Sequence, residues 1–155
     1  LRMNDSHPPV IPSLPPAPGL LRRMAIVCYD LLLLFGLLFF AGALVIVPLG
    51  LGFGSEIQGH HLLFRLYLGL VILWFYCGFW VNGGQTLGMR TWRVRLVDVE
   101  GRTPSWRQAL IRFAAAILSW AALGLGFLWV LVDRDRLAWH DRLSGTRLVG
   151  PATRS

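Results

Sequence analysis

Ionisable side chains inside apolar runs are the first candidates for chemistry in this sequence. Asp30 follows Tyr29 and precedes four leucines, Arg23 stands at the start of the same run, and Arg112 lies just inside a later apolar segment. A carboxylate at membrane depth costs on the order of 2.5–3.5 kcal/mol on insertion scales, so it needs a partner or a polar cavity. We therefore predict that Asp30 pairs with an arginine, with Arg112 preferred over Arg23 because Arg112 can share its depth.

Two further carboxylates, Asp133 and Asp141, stand in an arginine-rich tail that can approach this pair from the cytoplasmic side. An aspartate that alternates between an arginine and a proton or cation is the minimum element of an exchange transporter. A buried ion pair can instead be a structural clasp that fixes helix packing in an accessory subunit. The candidate charge cluster under both hypotheses is Arg23, Asp30, Arg112, Asp133 and Asp141.

Long apolar runs must position these charges. Residues 25–47 and 62–81 are each long enough, at about 1.5 Å per helical residue, to cross a hydrocarbon core of about 30 Å. A third apolar segment, 108–132, is interrupted by Gly124-Leu125-Gly126, so it is either one kinked span or a returning helical hairpin. The sequence predicts an all-α membrane protein with two full transmembrane helices and this Gly-interrupted third segment.

A polar insertion, residues 82–107, separates the second and third apolar segments. Apolar and arginine residues alternate from Trp92 to Leu96, which is the period of a β-strand, and the tail ends in a short strand-like stretch, 146–149. Ser105 followed by Gln108 predicts a capping box at the start of the next helix. Because arginines concentrate outside the apolar runs, we expect the N-terminus, this insertion and a returning tail to be cytoplasmic.

Composition supports a membrane protein and argues against other classes. Of 155 residues, 55% are hydrophobic and 15% are charged, and the net charge of +7 comes with fifteen arginines and no lysine. We interpret the positive charge as orientation in the bilayer and contact with anionic lipid head groups, and we expect no nucleic-acid partner. No motif of a common hydrolase or nucleotide-binding enzyme occurs, so we expect neither an enzyme nor a cofactor.

The sequence also indicates where the membrane domain begins and ends. Residues 1–19 form a Pro-rich leader expected to be disordered, 20–150 the membrane domain, and 151–155 a tail. The connection between the first two apolar runs contains Glu56, His60 and His61, which we interpret as a solvated loop and not as a metal site. Cys28 and Cys77 stand inside apolar runs without CxxC spacing, which favours free thiols.

Three stretches together resemble the RDD family of small bacterial membrane proteins: RRMAIVCYDLLLL, GGQTLGMRTWRVRLVDVEGRTPSWRQALIR and LGLGFLWVLVDRDRLAWHDRLSGTRLV. The resemblance runs from about Leu20 to Val149. It implies that Arg23 and Asp30 are the Arg and the first Asp for which the family is named. For the second Asp it favours Asp141, with Asp133 in reserve.

A further part of the resemblance is the pattern G-x-T-x-G, which is formed by Gly84, Thr86 and Gly88. The next position, often Lys in the family, is Met89 in this chain. The resemblance implies transport of an unidentified ligand or cation/proton exchange in a bacterial cytoplasmic (inner) membrane. Because two full spans give few walls for a pathway, we expect a homo-oligomer or a larger membrane complex, and the alternative is a non-catalytic accessory or assembly subunit.

Overall fold

The computed structural model describes residues 15–52 and 61–150, with the backbone alone over 49–52. The predicted disordered leader lies mostly outside these residues, as do Glu56 and His60 of the predicted polar loop and the tail 151–155. Within the described parts the chain is mostly helical, with one two-stranded sheet.

Two long helices carry the first two apolar runs. Helix α1 spans Leu20–Gly52 and helix α2 spans His61–Gly83, and both are long and apolar enough to cross a membrane. Only 11% of the most apolar window of α1, and 17% of that of α2, is buried within the chain. An apolar surface of this extent must be covered by lipid or by other subunits. The prediction of two transmembrane helices is therefore supported by length, composition and exposure.

The insertion contains a short helix that the sequence pattern did not predict. Helix α3, Leu87–Thr91, begins at Thr86, whose side-chain oxygen accepts a hydrogen bond from the backbone N–H of Met89 at 3.2 Å. Strand β1, Arg95–Asp98, follows it. The alternation from Trp92 to Leu96 therefore indicated the strand but placed it too early, because the turn that follows α3 occupies Trp92 and Arg93.

Strand β1 pairs with strand β2, Thr146–Val149, which forms the end of the tail. The two strands are antiparallel, and Leu96 lies opposite Leu148. This pairing brings the insertion and the tail together although about fifty residues of chain, including the third apolar segment, separate the two strands. The insertion and the tail must therefore lie at the same end of the molecule.

The third apolar segment bends sharply. Helix α4, Trp106–Ala121, begins with the predicted capping box, in which Ser105 and Gln108 exchange side-chain to backbone hydrogen bonds. After α4, Gly124 adopts the left-handed conformation with φ +78°, and helix α5, Leu125–Leu128, begins. A 3₁₀ turn, Trp129–Leu131, completes this second part, which is bent by 106° from α4.

Beyond the bend the chain runs back along α4. A Cβ atom on Gly126 would lie 2.0 Å from the hydroxyl oxygen of Ser119, so only glycine permits this contact. Helix α6, Trp139–Ser144, then returns to the level of Arg112, which is bonded to Asp141. Of the two alternatives for residues 108–132, a kinked span and a returning hairpin, the chain follows the returning path.

The start of α1 meets the same end. The backbone N–H of Gly150, just after β2, donates to the carbonyl oxygen of Pro16 at 3.0 Å. A single buried cluster joins all these elements: Ile26 of α1, Cys77 and Trp80 of α2, Met89, Val94 and Leu96 of the insertion, Ala109 of α4, and Leu148 of β2. The polar end of the molecule is thus built from the first turn of α1, the insertion and the tail.

This shared end predicts a topology. With the native cysteines removed as Cys28→Ala and Cys77→Ala, we expect Glu100→Cys and Arg134→Cys to react alike with a membrane-impermeant thiol reagent on intact cells, because β1 pairs with β2. Ser55→Cys, between the two long helices, should react oppositely. Reaction of Glu100→Cys and Arg134→Cys from opposite sides would contradict the strand pairing.

Candidate functional site

The carboxylate of Asp141 is held by two arginines from other parts of the chain. Its Oδ2 accepts from Nη1 of Arg23 at 2.8 Å, and its Oδ1 accepts from Nη1 of Arg112 at 2.6 Å. All three side chains are buried, with 0% of Asp141, 4% of Arg23 and 3% of Arg112 exposed. We call these three residues the clasp, since it ties the first turn of α1 and the second turn of α4 to α6.

Each member of the clasp is fixed by further hydrogen bonds. Arg23 also donates to the carbonyl oxygens of Pro18 at 3.3 Å and Arg136 at 2.9 Å. Arg112 donates to the hydroxyl oxygen of Thr146 at 2.9 Å. Asp141 accepts from the backbone N–H of Ala138 at 2.9 Å, at the N-terminus of α6. The charges are therefore held in one geometry by their own elements.

Electrostatics keeps the clasp ionised. Burial alone would raise the pKa of Asp141, but the guanidinium groups of Arg112 and Arg23 hold that pKa well below its usual range. The neighbouring His140 is buried as well, and desolvation together with the charge of Arg112 lowers its pKa to about 3. At neutral pH the site therefore contains an aspartate anion, two cations and a neutral imidazole.

His140, the neighbour of Asp141 in sequence, also lies close to its carboxylate. Nε2 of His140 lies 3.7 Å from Oδ1 of Asp141, and its ring lies 4.7 Å from the ring of Phe127. Helix α6 packs against α4 and also contacts β2 and α5. That arrangement places both side chains inside the protein.

Asp30 forms a separate site on α1, and the prediction that it pairs with an arginine is wrong for the described residues. Its Oδ2 accepts from the hydroxyl of Thr86 at 2.5 Å, and its Oδ1 accepts from the backbone N–H of Gly88 at 2.8 Å. Arg112, the preferred partner, is bonded to Asp141 instead. One backbone N–H in the first turn of α3 and the hydroxyl at its N-cap satisfy the carboxylate without a counter-ion.

Glycine is required where α3 approaches Asp30. A Cβ atom on Gly88 would lie 2.7 Å from Oδ1 of Asp30 and 2.8 Å from the carbonyl oxygen of Ile26. Thr86 and Gly88 are the partners of Asp30 that charge-based reasoning missed. Both stand in the G-x-T-x-G pattern, so the sequence contained the signal, but nothing in the pattern told which carboxylate it would meet.

Asp133 lies apart from the clasp. Only 6% of its side chain is exposed, and it bonds to the side chain of Arg142 and, at 2.8 Å, to the backbone N–H of Leu137. The hydrogen bond from Leu137, together with Arg142, lowers the pKa of Asp133. Of the five residues predicted as one cluster, three form the clasp, while Asp30 and Asp133 each have other hydrogen-bond partners.

A cavity of about 270 Å³ lies beside the clasp and Asp30, between α1, α2 and α4. Its walls are mostly apolar, with Leu34 of α1, Ile72 of α2 and Phe113 of α4 among them, while Asp30, Arg23, Arg112 and His140 also line it. The described residues contain no group of three or more His, Cys, Asp and Glu side chains that could hold a metal ion.

Comparisons with known proteins agree with the resemblance in the sequence. The family model described as "RDD family" matches residues 17–145. The Uncharacterized protein RP437 of Rickettsia prowazekii (strain Madrid E) is 32% identical over 81 residues, which cover 52% of this chain and 44% of that protein. The match thus spans less than half the length of this relative. No solved structure matches.

The clasp predicts unequal effects of neutralising two aspartates. Asp141→Asn would leave two buried guanidinium groups without their counter-ion, and breaking a buried pair in this way costs about 3–5 kcal/mol. We expect a strong loss of folded, detergent-extractable protein, measured by thermal unfolding and yield. Asp135→Asn, the matched control at an exposed position of the tail outside the clasp, should change little. Equal losses from both substitutions would contradict the central role of Asp141.

His140 predicts a pH dependence of stability. Its folded pKa of about 3 lies below the ordinary value of 6.5, so between these pH values the unfolded chain binds a proton that the folded chain does not. Stability should therefore fall as pH decreases from about 6.5, by at most about 1.4 kcal/mol per pH unit. His140→Phe should flatten this part of a melting-temperature profile, whereas His61→Gln, at the exposed start of α2, should leave it unchanged.

Proposed function

We propose, from the premise that this chain belongs to the RDD family, that it is a subunit of a cation/proton or small-solute transporter in which Asp30 is the protonatable group. The observation that carries the proposal is the setting of Asp30. It is 2% exposed, stands ten residues into an apolar helix and lines the cavity, yet its described partners are a hydroxyl and a backbone N–H, not a cation. An ionisable residue within a span is a functional-site hypothesis by default.

The contacts of Asp30 supply a way to couple its charge to structure. As an anion it accepts one hydrogen bond on each oxygen, from Thr86 and from Gly88. Protonation turns one of these oxygens into a donor, so it weakens the contact between α1 and α3. A cation that displaces the proton would restore the two-acceptor state. Exchange of proton and cation at Asp30 would then move α3 relative to α1.

Such a subunit requires an assembly. Two long helices and one bent apolar segment cannot enclose a pathway by themselves, and most of the apolar surface of α1 and α2 faces outward. A homo-oligomer would place several copies of Asp30 around shared walls. We propose the bacterial cytoplasmic membrane as its location, with the clasp end in the cytoplasm, because arginines concentrate at that end.

The clasp favours a second candidate, an accessory or assembly subunit. All three of its side chains are buried and bonded, so Asp141 has the features of a structural ion pair rather than of a group that exchanges protons. If Asp30 is also only structural, the chain would be a membrane scaffold that presents its insertion and tail to a larger complex. This candidate predicts the same contacts but no dependence on ions.

Proton-gradient measurements separate the two candidates. We expect purified protein in vesicles that contain a pH dye to dissipate an imposed proton gradient when Na⁺ or K⁺ is added, because the cation displaces a proton from Asp30. Asp30→Asn should abolish this response. Asp135→Asn, a matched change at an exposed position in the tail, should retain it.

A folded wild-type protein without any cation-dependent response in several lipid compositions would exclude ion exchange and leave the accessory-subunit candidate. A response that survives Asp30→Asn would support transport but remove Asp30 from its mechanism. Far-ultraviolet circular dichroism and gel filtration of each variant show whether a lost response reflects lost folding.

A further inference from the structure

The hairpin formed by α4, α5 and the 3₁₀ turn, residues 106–131, is apolar on the outside and small or polar on the inside. The buried positions of α4 are Ala109, Arg112, Ala115 and Ser119. Apart from Arg107, its large exposed side chains are all apolar: Trp106, Leu110, Ile111, Ile117, Leu118 and Trp120. A helix at the surface of a soluble protein has the opposite pattern, with its apolar face toward the core. The pattern of α4 favours hydrocarbon around the hairpin.

The tip of the hairpin is its most exposed apolar part. Leu123, in the turn before Gly124, is 92% exposed, and a Cβ atom on Gly124 would meet nothing within 4 Å. Leu131 and Val132, where the chain leaves the hairpin, are also largely exposed. Large exposed apolar patches mark protein or membrane interaction sites. A protruding tip has no groove into which a folded partner could pack, whereas fluid acyl chains adapt to its shape.

Both ends of the hairpin are held at the polar end of the molecule. Exposed charges stand at its start, at Arg107, and directly after it, at Arg134 and Asp135. The bond from Arg112 to Asp141 and the pairing of β1 with β2 keep these two ends together. Exposed charged side chains are costly to place in hydrocarbon. The hairpin therefore enters and leaves the bilayer on the same side.

The length of the return leg limits how deep the tip can lie. Helix α5 has four residues and the 3₁₀ turn has three, so at about 1.5 and 2.0 Å per residue they span about 12 Å. One leaflet contributes about 15 Å of hydrocarbon, half of a core of about 30 Å. Helix α4, with sixteen residues or about 24 Å, is itself too short to cross that core. Leu123 therefore reaches no further than one leaflet.

We propose that the hairpin is inserted into the leaflet at the clasp end, with Leu123 as its deepest residue, and that its outer surface packs against the acyl chains of that leaflet alone. In the opposite leaflet the described part of the chain then presents only α1 and α2. The two leaflets therefore meet different surfaces of the same protein. This inference concerns position in the bilayer and does not depend on ion exchange.

Spin labels on single cysteines measure the depth of the hairpin. We would reconstitute the full chain, with Cys28→Ala and Cys77→Ala, in vesicles of phosphatidylethanolamine and phosphatidylglycerol. Collision rates with O₂, which partitions into hydrocarbon, and with a water-soluble nickel complex give the depth of each label. The label on Leu123→Cys should be deeper than that on Ile117→Cys, and deeper than that on Leu131→Cys by up to about 12 Å. The control label on Glu100→Cys should stay in water.

Three results would overturn the inference. If Ile117→Cys is deeper than Leu123→Cys, the segment passes the midplane of the bilayer and crosses it. Nickel access at Leu123→Cys equal to that at Glu100→Cys would place the tip in water. Low collision rates of Leu123→Cys with both reagents would show that protein, such as a second copy of the chain, covers the tip instead of lipid.

A charge at the tip gives a matched test in the native cysteine background. Leu123→Asp places a carboxylate in hydrocarbon, so the amount of folded protein integrated in the membrane should fall. Val99→Asp, at a 74% exposed position in the turn after β1, should retain the wild-type amount. Backbone strain does not explain a loss, because Leu123 has φ +56° and aspartate tolerates that conformation better than leucine. Equal amounts of both variants would contradict insertion, whatever the vesicle assay for ion exchange shows.

Discussion

The architecture depends on one carboxylate between two guanidinium groups. Asp141 draws Arg23 and Arg112 to within 2.8 and 2.6 Å at a point where all three side chains are buried. Each arginine alone would be costly to remove from water, and a single aspartate neutralises only one of the two charges. Carbonyl and hydroxyl oxygens from Pro18, Arg136 and Thr146 accept three further guanidinium hydrogen bonds and so stabilise the two cations, while Nε of Arg112 has no acceptor among the described residues.

Because these partners come from distant parts of the chain, the clasp sets the path of the third apolar segment. Asp141 can reach Arg112 only if the chain turns back after α4, and the left-handed Gly124 together with the close approach of Gly126 to Ser119 permits that reversal. Strand β2 then lies beside β1 and closes the polar end. Electrostatic pairing, backbone freedom of glycine and strand pairing therefore agree on one topology.

The buried carboxylate of Asp30 is stabilised in a different way from that of Asp141. Its charge is met by two hydrogen bonds from the start of a short helix, and not by a cation. Dipoles of this kind stabilise an anion without fixing its protonation as firmly as two neighbouring arginines do. This difference is why we propose a functional role for Asp30 and a structural one for Asp141, although both are aspartates within the same small protein.

The sequence by itself determined the family, the two long apolar helices and the capping box at Ser105. These features depend on local patterns: run length, helical capping and the order of motifs along the chain. Helix α3 escaped prediction because five residues give too little periodicity, and its alternating neighbours shifted the expected strand. Which way residues 108–132 run also stayed open, since run length fits both a kinked span and a returning hairpin.

Only the tertiary structure decided which charges meet. Judged only by its depth in the membrane, Arg112 could pair with either Asp30 or Asp141. Depth does not determine the direction in which a side chain leaves α4. The return of α6 and the approach of α3 break that tie, the first by bringing Asp141 to Arg112 and the second by giving Asp30 the donors of Thr86 and Gly88. Residue types limited the possible partners, and packing of distant segments chose among them.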